Sequence, residues 1–222
     1  MSLRQASRGR RYPFVLMATT LPPPTIKFPR TEVPRGVKPY DPGAQTTGIW
    51  VGLAAITMTF AAFTSAMVVR QGSANDWRHF SFPIILYFNT VVLISSSLVL
   101  QIARRRFAQV ASGENPSADS SLLALYGTLI LGITFVLGQS AAWQQLRSEG
   151  VYLATTPSSS FFYVFTVLHV LHVIGGLAGL LYVIRKLRRF GLRPETLDAA
   201  SRYWHFMDVL WLYLLLLLRL KI

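Results

Sequence analysis

The 222-residue chain contains no cysteine. That absence removes disulfides, thiolate-ligated metals, iron–sulfur clusters and cysteine nucleophiles together, and leaves the redox compartment open. Acidic residues are scarce as well: nine Asp and Glu stand against 22 Lys and Arg, a formal net charge of +13. Charged residues of either sign make up 14% of the chain against 52% apolar, whereas soluble domains are about a quarter charged. A soluble enzyme is a poor fit to such a composition, and an integral membrane protein is a good one, because a spanning helix takes about 20 mostly apolar residues. In a soluble protein the basic excess would suggest nucleic acid. Here it indicates loops held at an anionic, cytoplasmic membrane face, and no nucleic-acid partner is expected. Nucleotide-binding loops, nucleophile constellations and paired carboxylates are also missing from the sequence.

Residues 1–46 carry Arg4, Arg8, Arg10 and Arg11, then Pro22, Pro23 and Pro24, with further prolines at 29, 34, 39 and 42. Such a stretch cannot bury enough apolar surface to fold alone and reads as an extended tail. Its apolar run at 14–18 is too short for a secretory h-region. An Arg-rich, acid-poor start also fits an organellar transit peptide, but an intrinsic tail is the preferred reading. Five apolar stretches follow within 47–222, at 47–69, 84–103, 122–146, 161–184 and 203–218. The last is expected to begin its helix near Pro194 and Glu195, since proline suits a first helical turn. Only helices or closed barrels can cross hydrocarbon, and a run such as the five leucines at 214–218 lacks a barrel strand's alternation. The expected fold is therefore all-α: an integral membrane five-helix bundle preceded by an extended tail. With five crossings, 17 basic residues fall on the side of the N-terminus and 5 on the other. The positive-inside rule then places the N-terminus in the cytoplasm and the C-terminus outside.

Four histidines could carry chemistry. His79 lies in a polar loop beside Trp77 and Arg78 and is given no role. His169 and His172 are three apart, on one face of the fourth helix and midway through its span. Intramembrane polar groups are costly and tend to mark function, so a metal or haem ligand pair and a proton relay are open readings. The preferred one is a pair of buried imidazoles that hydrogen-bond to neighbouring helices. A four-coordinate site needs further ligands, and only His205 remains in another span. Asp208, the one acid inside a span, follows His205 by three residues. A direct His205–Asp208 pair near the interface is preferred over a proton carrier, since one carboxylate makes no transmembrane path. Asn89 and Ser96 share a face of the second helix and can bond across helices. Gly175 and Gly179 have the GxxxG spacing that lets helices approach, with Gly176 beside them. Trp50, Trp143, Trp204 and Trp211 flank the spans as interface aromatics do. Arg185, Lys186, Arg188 and Arg189 form a topology signal or a phospholipid head-group site. No catalytic residue and no metal ligand is assigned.

Taken in order, these segments resemble subunit III of the haem–copper oxidases, cytochrome c oxidase in particular. The run from Tyr203 through Trp204, His205, Phe206, Met207, Asp208, Val209, Leu210 and Trp211 is similar to the family's YWHFVDVVW signature, with Met207 in place of Val. Phe161 and Phe162, followed by Thr166, His169, His172, Val173 and Gly176, resemble its FF…TGxHGxHVxxG helix, with Val167 and Val170 where glycine is preferred. Asn89 and Thr90 with Ser95 and Ser96 resemble its NT…LLSS helix. The segment from Phe135 to Trp143 resembles its FxxxQxxEW, with Ala142 replacing the acid. Ile56 stands where the family's SEVMFF-like stretch carries an intramembrane glutamate, so a role tied to that carboxylate does not transfer. The resemblance covers roughly residues 47–220 and matches the family's five-helix bacterial form.

What the resemblance implies is an accessory, non-redox subunit of a proton-pumping terminal oxidase in a bacterial plasma membrane. It would bind no cofactor itself, with haems and copper carried by partner subunits. It would pack directly against subunit I, alongside subunit II and small subunits, in an assembly that could extend to a respiratory supercomplex. Structural phospholipids would lie between its helices, and it would support sustained proton uptake. Asn89, His169, His172, Tyr203, Trp204, His205 and Asp208 are the residues expected to serve structure and proton-uptake support. The same fold would serve subunit III of a quinol oxidase or a nitric oxide reductase-associated homologue. A small proton-coupled carrier is the different-class alternative, and the lack of internal repeats weighs against it.

Overall fold

A computed structural model of the chain describes residues 42–73, 77, 83–111, 118–189 and 194–221. The tail expected over residues 1–46 lies outside the described residues as far as residue 41, as does His79. Five long helices follow one another: α1 (Pro42–Ser73), α2 (Ile85–Ala111), α3 (Ala118–Ser148), α4 (Pro157–Arg188) and α5 (Pro194–Lys221). Each is long and apolar enough to cross a membrane, and the expected all-α bundle is the fold observed.

The helix ends lie beyond the limits that hydropathy sets. α1, α4 and α5 each open on a proline, at 42, 157 and 194, where a missing N–H costs nothing and the fixed φ is already helical. α1 therefore starts five residues before the apolar stretch does. α4 starts ahead of Phe161 because Thr156 caps it. The Thr156 hydroxyl accepts from the Ser159 backbone N–H at 3.2 Å, and the Ser159 hydroxyl accepts from the Thr156 N–H at 3.1 Å, which satisfies two otherwise orphaned donors. α3 is closed by Gly150 at φ +80°, where the N–H groups of Gly150 and Val151 return to the carbonyls of Arg147 and Leu146. A side chain there would be strained. α2 runs past Arg104, Arg105 and Arg106 to Ala111, since a helix need not stop where hydrocarbon does.

Four helices close into a ring in which α2 packs on α3, α3 on α4, α4 on α5 and α5 back on α2. The α2–α3 contact is the most extensive. It is close because α3 presents glycine: a Cβ on Gly127 would lie 3.3 Å from Val99, and one on Gly138 would overlap the Asn89 carboxamide. Among the described residues α1 packs on α4 and α5 alone. Its ties include an aromatic layer of Phe60, Phe63 and Phe165 and a 2.9 Å hydrogen bond between Thr64 and Tyr213. Near its far end, the Gln71 amide and the Trp77 indole both donate to the carbonyl of Lys221, at 3.3 and 2.7 Å. The core they surround holds Phe135, Phe162, Phe165, Trp204 and Trp211, all essentially inaccessible.

Candidate functional site

The polar side chains that hydropathy leaves unexplained gather along the inner face of α5. Positions 204, 208 and 211 are three and four apart and share a stripe, so Trp204, Asp208 and Trp211 all turn inward. The Trp204 indole donates to Ser96 Oγ at 3.0 Å, and that of Trp211 to Thr90 Oγ1 at 3.0 Å. Both acceptors are on α2. Tyr203 donates to the His172 carbonyl on α4 at 2.9 Å. A third indole, Trp143 of α3, donates to Thr166 of α4 at 3.1 Å. Each bond satisfies a donor that would otherwise be stranded in hydrocarbon. Trp204 and Trp211 therefore do not flank the spans as interface aromatics. Both are buried to within 2%, because their ring N–H groups find partners inside the bundle. Trp50 alone keeps a strongly exposed position, at 59%.

The Trp204 ring is a peg between two helices. A Cβ at Gly132 of α3 would lie 2.8 Å from its Cη2, and one at Gly176 of α4 would lie 3.2 Å from its Cε3 and Cζ3. Of the α4 glycines, Gly176 makes the close approach. Gly175 has the Tyr203 hydroxyl 3.7 Å from its would-be Cβ, and Gly179 has nothing within 4 Å. The GxxxG pair instead helps to floor an open cavity of about 380 Å³, lined also by Gly176, Tyr182, Ala200 and Tyr203.

His205 and Asp208 are joined through a third group rather than directly. The Ser97 hydroxyl of α2 lies 2.7 Å from His205 Nδ1 and also donates to Asp208 Oδ2. A direct contact was expected from the spacing on one helix. The close α2–α5 packing brings a hydroxyl between the two side chains. The arrangement cross-links helices and differs from a nucleophilic triad, in which the carboxylate bonds the imidazole itself.

His169 and His172 part company, and neither ring makes the expected hydrogen bond to a neighbouring helix: His169 has no partner and His172 bonds its own helix. His169 is fully buried, with its ring 5.1 Å from Trp211 and 5.9 Å from Phe135, so it faces α3 and α5. His172 lies 5.9 Å from Phe60 of α1, and its Nδ1 is 2.7 Å from the Leu168 carbonyl one turn back. Three residues advance a helix by about 300°, leaving the two side chains about 60° apart. That is enough to send them to different neighbours. Asn89, buried against Gly138, shows no partner for its Nδ2, and neither His169 nitrogen has one. Among the described residues no three His, Asp or Glu side chains converge as a metal site would require.

At the other end of the molecule, Lys186 lies over the Tyr182 ring at 5.5 Å, and Arg188 reaches the Tyr126 hydroxyl at 3.4 Å. Arg185 and Arg189 complete this cluster at the α4 terminus, where cations favour the negative end of the helix dipole. The ion pair from Arg104 to Asp198, at 2.6 Å, was not read from the sequence. It joins α2 to the second turn of α5 across 94 residues, and no local spacing reports such a contact. Gln139 was likewise missed as a site residue. It is fully buried with both amide atoms unpaired, and its place one turn from both Phe135 and Trp143 is the signal that marks it as inward-facing.

These features define a class: a multi-pass membrane helix bundle in which several polar side chains of the spans bond one helix to the next. Comparison with known proteins makes it specific. The family model for cytochrome c oxidase subunit III matches residues 51–220. The chain is 30% identical over 188 residues to cytochrome c oxidase subunit 3 of Synechocystis, covering 81% of this chain and 76% of that protein. It is 29% identical over 180 residues to the probable cytochrome c oxidase subunit 3 of Mycobacterium leprae, with 78% and 86% covered. A quinol oxidase subunit 3 of Bacillus spizizenii is 27% identical over 171 residues, with 75% and 82% covered. The chain belongs to the cytochrome c oxidase subunit III family.

Proposed function

We propose that this chain is the accessory, non-redox subunit of a proton-pumping terminal oxidase, which it stabilises by packing against the haem-bearing catalytic subunit. One observation supports this most. In the segment that resembles the family signature, Tyr203, Trp204, His205, Asp208 and Trp211 all bond to α2 or α4. Side chains committed in that way brace a scaffold. On this reading the haems and copper reside in partner subunits, and Asn89, His169, His172 and the α5 residues hold the bundle's shape so that proton uptake by the complex is sustained. The N-terminus is cytoplasmic and the C-terminus external in a bacterial plasma membrane, in keeping with the 17-to-5 division of basic residues. Bound phospholipid fits two features. One is an apolar groove of about 380 Å³ lined by Phe63, Val164, Val167 and Leu168 that reaches Arg147. The other is the basic cluster at Arg185, Lys186, Arg188 and Arg189, where guanidinium forks can hold a phosphate. Electron supply from quinol in place of cytochrome c is the second reading, favoured by the Bacillus relative. The test is a time course of oxygen reduction by the complex with and without this chain. The initial rate should be nearly the same and the decline faster without it. An immediate loss of turnover with the haems still in place would overturn the accessory role.

A further inference from the structure

Buried polar groups in a bundle surrounded by hydrocarbon are expensive unless bonded, which makes unpaired ones informative. Eight side-chain atoms in the described residues are buried without a partner. Those of Ser121 and Ser201 need no ligand, because a hydroxyl can rotate to bond the carbonyl one turn back on its own helix. Asp208 is already held by Ser97 through its other oxygen. The remaining five belong to Asn89, Gln139 and His169: Asn89 Nδ2, both amide atoms of Gln139 and both nitrogens of His169. Each residue is at most 1% exposed. Unlike His172, whose Nδ1 lies 2.7 Å from the Leu168 carbonyl one turn back, these three residues make no bond to their own helix through those atoms.

The three come from different helices, and the contacts of their neighbours set them at one level of the bundle. Gln139 lies on the stripe of α3 between Phe135 and Trp143. Phe135 touches the His169 ring at 5.9 Å, and Trp143 bonds Thr166, one turn before His169 on α4. Asn89 on α2 lies against Gly138, the neighbour of Gln139. Trp211 completes the layer. Its ring is 5.0 Å from Phe135 and 5.1 Å from His169, while its N–H bonds Thr90, the neighbour of Asn89.

We propose that Asn89, Gln139 and His169 form an internal water-binding site at the centre of the four-helix ring, walled by Phe135 and Trp211. The donor set selects the ligand. The two amide nitrogens are donors, the Gln139 oxygen is an acceptor, and a neutral imidazole supplies one of each. A cation needs acceptors and an anion needs donors, whereas water both donates and accepts and settles where two to four polar partners converge. Water held there joins α2, α3 and α4 without any of the three amide or imidazole groups needing to touch another. The site is independent of the subunit's role in an oxidase.

Hydroxyl-radical labelling by brief X-ray irradiation reads it, since radicals form where water is bound and mark adjacent aromatic rings. The sample is the full-length protein in the membrane complex with which it purifies. Phe135 and Trp211 should label several-fold faster than Phe60 and Phe165, which are as deeply buried but stack on each other at 6.3 Å outside this layer. Labelling of all four at one background rate would overturn the proposal. In the variant carrying Gln139→Leu and His169→Phe, the rate at Phe135 and Trp211 should fall to that of the controls. Fast labelling that persists in a folded variant would place the water on other groups and overturn the assignment. If the variant does not fold, the wild-type comparison decides alone.

Discussion

Adding one methyl group to Gly132 tests the peg-and-socket packing of Trp204. A Cβ at 132 would lie 2.7 Å from Leu177 Cδ2 and 2.8 Å from Trp204 Cη2. The leucine tip can turn aside. The indole cannot, because Gly176 backs its Cε3–Cζ3 edge and Ser96 holds its N–H at 3.0 Å. Overpacking of a close-packed core costs about 1–3 kcal/mol, and the better helix propensity of alanine returns up to about 1 kcal/mol. Gly132→Ala should therefore destabilise by about 1–2 kcal/mol. Trp204→Phe removes the obstructing atoms along with the hydrogen bond and should cost about 2–4 kcal/mol on its own. In the double variant the smaller ring admits the methyl, so its loss should fall short of the summed single losses by about 1 kcal/mol. Gly179→Ala, with nothing within 4 Å of the added carbon, should be neutral or slightly stabilising. Reversible unfolding of the purified chain in mixed micelles measures all four. Additive losses in the double variant would refute the claim that the Trp204 ring is what Gly132 accommodates.

Ser97→Ala removes the hydroxyl that links His205 to Asp208 and should lower stability by about 1–3 kcal/mol, the cost of an unsatisfied buried acceptor; an unchanged unfolding midpoint would contradict the bridge. Arg104→Gln breaks an ion pair whose side chains are 38% and 37% exposed, so the loss should stay below about 1 kcal/mol, and a larger one would show that the pair is shielded in the native membrane. Reporter fusions after Arg106 and after Arg189 should both read as cytoplasmic, and an external reading at either would reverse the orientation or change the number of crossings.

The five helices were legible because hydrocarbon imposes a simple demand on sequence: long apolar runs such as the one around the leucines at 214–218 have few alternatives to spanning as helices. Their ends were less so. Hydropathy reports where hydrocarbon stops, while Pro42, Thr156 with Ser159, and Gly150 determine where the backbone turns. Within the candidate site, membership of the inward stripe could be read from spacing on a single helix, as for His169 and Asp208. Partners could not. Ser97 enters between His205 and Asp208 from α2, and Gly132 and Gly138 admit Trp204 and Asn89 from other helices. The two α4 histidines diverge because α1 sits on one side of α4 and the closed ring on the other. Those relations are set by packing between distant parts of the chain, as across the 108 and 111 residues that separate Ser97 from His205 and Asp208.

The central claim, that this chain supports a redox partner and carries no redox centre of its own, is tested most directly by purifying the tagged chain from its native membrane in mild detergent. The account predicts that it brings with it a haem-bearing subunit with the visible absorption of a terminal oxidase, and that the chain retains neither haem nor copper once separated from that partner. A stoichiometric Soret band on the separated chain, or its recovery from the membrane with no haem protein attached, would contradict it.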